Sequence, residues 1–222
     1  MSVSIHQQTL QFLGDLKQHN DRDWFHANKK QYDAAKENFH EFVGALIKET
    51  AKFEPSVAEL EPKDCVFRIN RDIRFAKDKS PYKTNFGALL SGKTAISKAV
   101  YYIHLEPGKS FLAGGVHLPD AKVLKAIRQE LVYNPEDFLN IIQNKDFKKY
   151  FVLDNEKLTR VPLGFDKEHP LAEYLKHKEM IALHSMKDDT LLSEKFLSYA
   201  GSVLKALQPF NRFLNAAISD VQ

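Results

Sequence analysis

The chain has 222 residues, 43% of them apolar and 27% charged, an ordinary globular mix that excludes disordered, collagen-like and coiled-coil classes. At this length a fold buries about 70% of its unfolded surface without a staple, and the single cysteine, Cys65, excludes an internal disulfide and any CxxC zinc or redox motif and fits a reducing compartment. A net charge of +3 is too mild to argue for nucleic acid, no apolar run approaches 18 residues, and Met1 to Lys17 lacks a basic segment followed by an apolar one, so neither a membrane span nor a secretory signal is expected.

The N-terminal third reads as helix. Leu10, Leu13 and Leu16, with Phe12, make a short apolar stripe that ends at His19-Asn20-Asp21. A longer helix is predicted from Lys29 to Phe53, where Tyr32, Ala35, Phe39, Phe42, Val43, Leu46, Ile47 and Phe53 recur at three-to-four spacing and Pro55 stops the run. The middle third switches to strand patterns. Cys65 to Asn70 is predicted as a strand with Phe67 and Ile69 on one side, and Tyr82 to Leu90 as a second, closed by Ser91-Gly92-Lys93. Ala99 to Glu106 is the clearest strand, with Tyr101, Ile103 and Leu105 facing one way and Tyr102, His104 and Glu106 the other. Glu106-Pro107-Gly108-Lys109 reads as a tight turn into Ser110 to Val116, making an antiparallel hairpin.

Helices return with Pro119 at a first helical position and Val123, Leu124, Ile127 and Leu131 on the apolar face. Asn134-Pro135-Glu136 is predicted to cap another helix through Ile142. Short strands are expected at Lys157 to Val161 and Met180 to Met186, then two helices, Leu191 to Leu207 and Pro209 to Ile218. Strands cluster rather than alternating with helices, and no linker divides the chain. The expectation is a single α+β domain, with a central antiparallel sheet from the middle of the chain flanked by N- and C-terminal helices.

The charge is unevenly placed. Arg68, Arg71, Arg74, Lys77, Lys79 and Lys83, opposed only by Asp72 and Asp78, put +4 into eighteen residues and leave the other 204 at −1. Arginine offers a planar fork that fits phosphate or carboxylate, and lysine adds point charge. Arg68 and Arg71 converge only if the chain bends near Asn70–Asp72, which would make Arg71 to Pro81 a compact eleven-residue loop of the kind that carries function. The same residues also fit a structural network in which Asp64, Asp72 and Asp78 neutralise the arginines, or plain solvated charge.

Tyr102, His104 and Glu106 share one strand face. A carboxylate beside a histidine, with a phenol on its other side, suits proton transfer; an alternating polar face is equally the wet side of an antiparallel strand. The nine histidines form no HxH or HExxH pair, so no metal is expected. Gly114-Gly115 lacks the context of a nucleotide loop and reads as a bulge or a close backbone approach. Trp24, Phe25 and Tyr32 read as core.

The run from Phe67 through Arg68, Asn70-Arg71-Asp72, Arg74-Phe75, Lys77-Asp78-Lys79-Ser80-Pro81-Tyr82-Lys83 to Thr84-Asn85 resembles the signature of an uncharacterised, mostly bacterial family, domain of unknown function 2461. Trp24-Phe25, Tyr101 to Gly108, Gly114-Gly115, Pro162 to Asp166 with His169-Pro170, and Pro209 with Phe213-Leu214-Asn215 extend the match along the chain. Asn28 stands where the family tends to carry histidine, and His117 where it more often has a bulky aromatic. The resemblance implies a single cytoplasmic α+β domain and brings no activity, substrate or cofactor.

Two functional readings follow. In the first, Arg68, Arg71, Arg74, Lys79, Tyr82 and Lys83 form the site for a small phosphorylated or carboxylated anion, with His104 as an acid/base and without a cofactor. In the second, a non-catalytic module binds nucleic acid or an acidic partner protein through the same patch, with Phe67, Phe75, Tyr82 and Phe86 as stacking rings. Either way the protein is expected to be a cytoplasmic monomer or weak homodimer.

Overall fold

The structure, a computed structural model, describes residues 3–91 and 98–219. Its first helix, α1 (Gln7–Gln18), buries Leu10, Phe12, Leu13 and Leu16 as their spacing requires. Asp21 accepts the Trp24 N–H and starts α2 (Arg22–Ala27), a helix of six residues, too short to show a period in the sequence. In α3 (Lys29–Ala51) the predicted stripe is the core face, with Phe39, Phe42, Val43 and Leu46 wholly buried. Each such side chain contributes about 1.5–3 kcal/mol when removed from water. Asn38 is buried too, and it is satisfied. Its carbonyl accepts from His6 N–H and the Thr9 hydroxyl, and its amide donates to the Ser4 carbonyl, tying the segment before α1 to α3. Pro55 opens a 3-10 turn (Pro55–Val57), and a single helical turn, α4 (Pro62–Cys65), follows.

Cys65 to Asn70 is not a strand. It pairs only through isolated bridges, Val66 with Ala88 and Asn70 with Tyr82. Four steps of chain on one side therefore face six on the other, and no continuous ladder can span that mismatch. The predicted alternation fails with it: Ile69 is buried, whereas Phe67 is 46% exposed. The next strand, β1, is confined to Phe86–Leu90, and the predicted Gly92-Lys93 closure lies outside the described residues. The hairpin is as expected, β2 (Val100–Leu105) turning into β3 (Phe111–Val116) through Gly108 at φ 72°, with Lys109 N–H bonded to the Glu106 carbonyl at 2.9 Å.

Asp120, rather than Pro119, begins α5 (Ala121–Tyr133), because its carboxylate accepts the Val123 N–H and leaves Pro119 one residue before the cap. Pro135 takes the first position of α6 (Pro135–Gln143), while the Asn134 amide turns back to Glu130. Two unpredicted short elements follow, α7 (Lys145–Tyr150) and β4 (Val152–Leu153). The strand expected at Lys157 to Val161 reduces to one bridge, Lys157 to His177. After α8 (Ala172–Leu175), β5 (Met180–Ser185) stands where predicted and pairs antiparallel with β4, Val152 opposite Leu183. The chain ends in α9 (Asp188–Leu192) and α10 (Phe196–Ile218). Pro209 sits inside α10, where the sequence reading has a break. An interior proline costs about 3 kcal/mol, which the burial of Leu204, Leu207, Phe210 and Leu214 around it offsets.

The strands form one antiparallel sheet in the order β1-β2-β3-β5-β4, with helices from both ends of the chain, which is the α+β class expected. The chain divides into two compact units. The first comprises Met1–Lys93, Tyr102–Leu112 and Ser185–Ser202, and the second Thr94–Tyr101, Ala113–His184 and Val203–Gln222. In the first, Phe42 stacks on Phe196 at 4.8 Å and Phe39 on Phe86 at 5.4 Å. In the second, Phe138, Phe147, Phe210 and Phe213 make a ring cluster. There the buried Arg128 donates to the carbonyls of Leu175 and His177 at 2.8 and 3.0 Å. Gly114-Gly115 is a close backbone approach: a Cβ on Gly115, at φ 117°, would lie 1.9 Å from the Met180 carbonyl oxygen. Among the described residues no helix is long and apolar enough to cross a membrane.

Candidate functional site

The charged segment closes on itself. Arg71 N–H bonds to the Pro81 carbonyl at 2.9 Å, so Arg71 to Pro81 is a loop with joined ends, as compact as the sequence suggests. Inside it the charges serve the loop. The Arg71 guanidinium pairs with Asp78 and reaches the Ser80 carbonyl at 3.1 Å. Asp72 takes both Nε and Nη2 of Arg74, at 2.9 and 2.6 Å. Lys79 donates to the carbonyls of Ile73 and Arg74. Hydrogen bonds from Ser80, with the Arg71 cation, hold the Asp78 carboxyl far below the usual carboxylate range, and the Arg74 guanidinium lowers Asp72. Phe75, at 95% exposure, turns outward, with the Arg74 guanidinium 6.0 Å from its ring.

Tyr82 anchors the neck of the loop. It is 6% exposed and stacks on Phe25 at 3.9 Å, which takes it out of reach of a surface ligand. Asn20 brackets its backbone, donating to the Tyr82 carbonyl at 3.0 Å and accepting its N–H at 3.1 Å.

Arg68 and Lys83 behave differently from the loop cations. Lys83 lies half-buried over the ring of Phe67 at 5.3 Å, and burial together with the nearby positive charge of Arg68 lowers its pKa. Among the described residues neither side chain donates to a carboxylate. Of the six predicted site residues, these two lie near each other, and Arg68 is also close enough to Asp72 to lower its pKa.

The phenyl ring of Phe67 reaches Tyr102, 6.3 Å away, and so leads to the polar face of β2. That face is not wet. His104 and Glu106 side chains are each 16% exposed. The Tyr102 hydroxyl lies 3.1 Å from His104 Nδ1, and His104 Nε2 lies 3.3 Å from Glu106 Oε2. A carboxylate only accepts, so Nε2 carries the imidazole proton and Nδ1 is the acceptor, facing the Tyr102 hydroxyl and the Asn85 amide at 3.5 Å. His104 stacks on Phe111 at 4.6 Å, and burial lowers its pKa against the opposing pull of Glu106. Burial also pushes the Tyr102 phenol up to about 12. Thr84 Oγ1 and Lys17 Nζ stand 3.4 and 3.9 Å from Glu106 Oε1. The Ser110 hydroxyl accepts the Glu106 N–H and donates to its carbonyl, fixing the backbone. At neutral pH the arrangement is a neutral imidazole between an acceptor carboxylate and a donor phenol.

The family model described as a conserved hypothetical protein, DUF2461, matches residues 8–213. The chain belongs to this family. No curated protein and no solved structure matches it. The family string runs on through Thr84-Asn85, the two residues that connect the loop to the β2 face, and these the sequence reading assigns no role. Lys17 and Phe111 are missed as well, since they come from distant parts of the chain and only the fold brings them to β2. Cys65 is buried and its thiol pushed up to about 11, which keeps it protonated and unreactive. Among the described residues no three His, Cys, Asp or Glu side chains converge as a metal site would require.

Proposed function

We propose that this DUF2461 protein binds a small phosphorylated or carboxylated molecule through its Arg/Lys-rich segment, with Arg68 and Lys83 as the donors. What supports the reading is a single arrangement. Two cations stand close enough for one to lower the proton affinity of the other, with no carboxylate accepting from either among the described residues, beside the half-exposed ring of Phe67. Like charges held together are destabilised in the free protein; Asp72, which feels the charge of Arg68, offsets only part of that repulsion, and an anion would relieve more of it. Arg71, Arg74 and Lys79 shape the loop and add to its positive potential, and Tyr82 anchors it. The protein would act in the cytoplasm as a single α+β domain, monomeric or weakly dimeric, without a cofactor.

A second reading draws on Phe75. A bare ring at the apex of a basic loop suits stacking on an unpaired base, so the patch would then serve a nucleic acid or another acidic partner. Thermal melting separates the two. Inorganic phosphate should raise the melting temperature of the wild type by mass action. Arg68→Ala or Lys83→Ala should weaken that binding by about 1.5–3 kcal/mol per charged hydrogen bond lost. A short single-stranded oligonucleotide that binds far more tightly than phosphate, and loses that advantage in Phe75→Ala, favours the second reading. Silence towards both returns the segment to a purely structural role.

A further inference from the structure

The polar face of β2 holds reactive groups that anion binding alone does not use. Glu106, His104 and Tyr102 form a line of hydrogen bonds in which each member is oriented by the next: carboxylate to Nε2–H, and Nδ1 to phenolic O–H. Both ends of the imidazole are fixed, and stacking on Phe111 fixes its plane. Gly87 lets the phenol pack closely against the β1 backbone, because a Cβ there would stand 2.5 Å from the Tyr102 oxygen. With Nδ1 as the acceptor the hydroxyl proton points at His104, so the oxygen lone pairs are not spent on that bond. This is the geometry of a nucleophile joined to a base that a third group orients.

We propose that Tyr102 is a nucleophile activated by His104 and oriented through Glu106, and that it accepts a phosphoryl group from the molecule held by Lys83 and Arg68. The phosphoryl assignment rests on the anion-binding reading above; the reactivity of Tyr102 does not. In the step, Tyr102 Oη bonds to phosphorus as the bond from phosphorus to the leaving oxygen breaks. The phenolic proton passes to His104 Nδ1 and from there to solvent, which protonates the leaving oxygen on the far side of phosphorus, so phosphotyrosine and an alcohol are formed and no other reactant is consumed. Glu106 carries the opposite charge beside the transient imidazolium, and the cations offset charge on the phosphoryl oxygens. A phenol with so high a pKa is un-ionised at neutral pH and needs such a base, while an imidazole with a lowered pKa is neutral and free to act as one.

The reactivity can be read without knowing the substrate. N-Acetylimidazole transfers its acetyl group to tyrosine oxygen, and peptide mass spectrometry gives the rate at each site. Tyr102 should be acetylated at least tenfold faster than Tyr133, although Tyr133 is 74% exposed. His104→Phe keeps a ring against Phe111 and removes the base, so the advantage should vanish; Glu106→Gln should lower it several-fold. A wild-type Tyr102 that reacts no faster than Tyr133 overturns the proposal, and this comparison needs no variant to fold. Inorganic phosphate at millimolar concentration should slow acetylation of Tyr102 in the wild type and not in Arg68→Ala. Fast acetylation with no phosphate protection overturns the phosphoryl assignment and leaves the activated phenol standing; the anion reading falls only if phosphate also fails to raise the melting temperature.

Discussion

The Arg71–Pro81 loop and the polar face of β2 are built from similar residue types and use them in opposite ways. In the loop, partners lie within a few residues of each other: Asp72 with Arg74, Asp78 with Ser80, Lys79 with Ile73. The charges are exposed and their work is local, shaping a turn that no apolar core supports. On β2, Tyr102, His104 and Glu106 are largely covered, and Asn85, Phe111 and Lys17 arrive from other elements. Much of the dense charge in this loop is thus spent on its own shape. A modest polar alternation, once covered by the fold, keeps its chemistry in reserve.

The largest test of this contrast lies under the loop neck. Phe25→Ala should destabilise the protein by about 3–5 kcal/mol in denaturant titrations, because the ring stacked on Tyr82 is what fixes the neck. A loss near zero would mean that the loop's own ion pairs hold it in place. Next comes Gly87→Ala, whose new methyl meets a Tyr102 ring that His104 already holds. An expected loss of about 1–3 kcal/mol, together with slower acetylation of Tyr102, would confirm how closely that face is packed; an unchanged protein would show it to be loose.

Acid then separates the two regions by pH. Burial lowers the His104 pKa, so between its unfolded value of about 6.5 and its lower folded value the unfolded chain binds more protons. Stability should therefore fall as pH drops below about 6.5. His40, His177 and His184 shift the same way, and His104→Phe should remove part of that slope. Asp72 and Asp78 are lowered too, but their contribution is present above the unfolded carboxylate value of about 3.9 and is lost only as pH falls through their folded values. Asp78→Asn should thus flatten the acid limb below about pH 4 and leave the slope near 6 unchanged. The smallest effect is expected from Arg71→Ala. Its partner Asp78 is largely exposed and the pair is screened, so even with the lost bond to the Ser80 carbonyl the loss should stay well short of the Phe25 result. A large loss would give the loop's ion pairs the anchoring role that otherwise falls to Tyr82.

What could be read from the sequence follows the range of the forces involved. The stripe of α3 and the alternation of β2 are periodic, and both elements stand within two residues of their expected bounds. The joined ends of the loop follow from turn formers at Asn70, Asp72 and Ser80-Pro81, and the α+β class from the clustering of strands. Cys65 to Asn70 has strand composition, yet its pairing depends on the spacing of a partner segment, which composition does not report. Pro209 looks like a break because its cost is local, whereas the burial that offsets it is tertiary. Within the site, the cations are visible in the sequence and their commitments are not. Tyr82 belongs to Phe25, Arg74 to Asp72 and Arg71 to Asp78.

The side chain of Asn20 has a consequence for the protein in a crowded solution. Tyr82 faces Asn70 across a bridge whose hydrogen bonds are made by its neighbours, Pro81 and Lys83, so its own N–H and C=O point to the open side. Both are taken by the one amide of Asn20, which imitates a strand partner one residue long. A foreign strand approaching this edge finds its first donor and acceptor already occupied, as edge strands that resist aggregation arrange by other means. Asn20 thus leaves neither backbone group of Tyr82 free to pair with another strand.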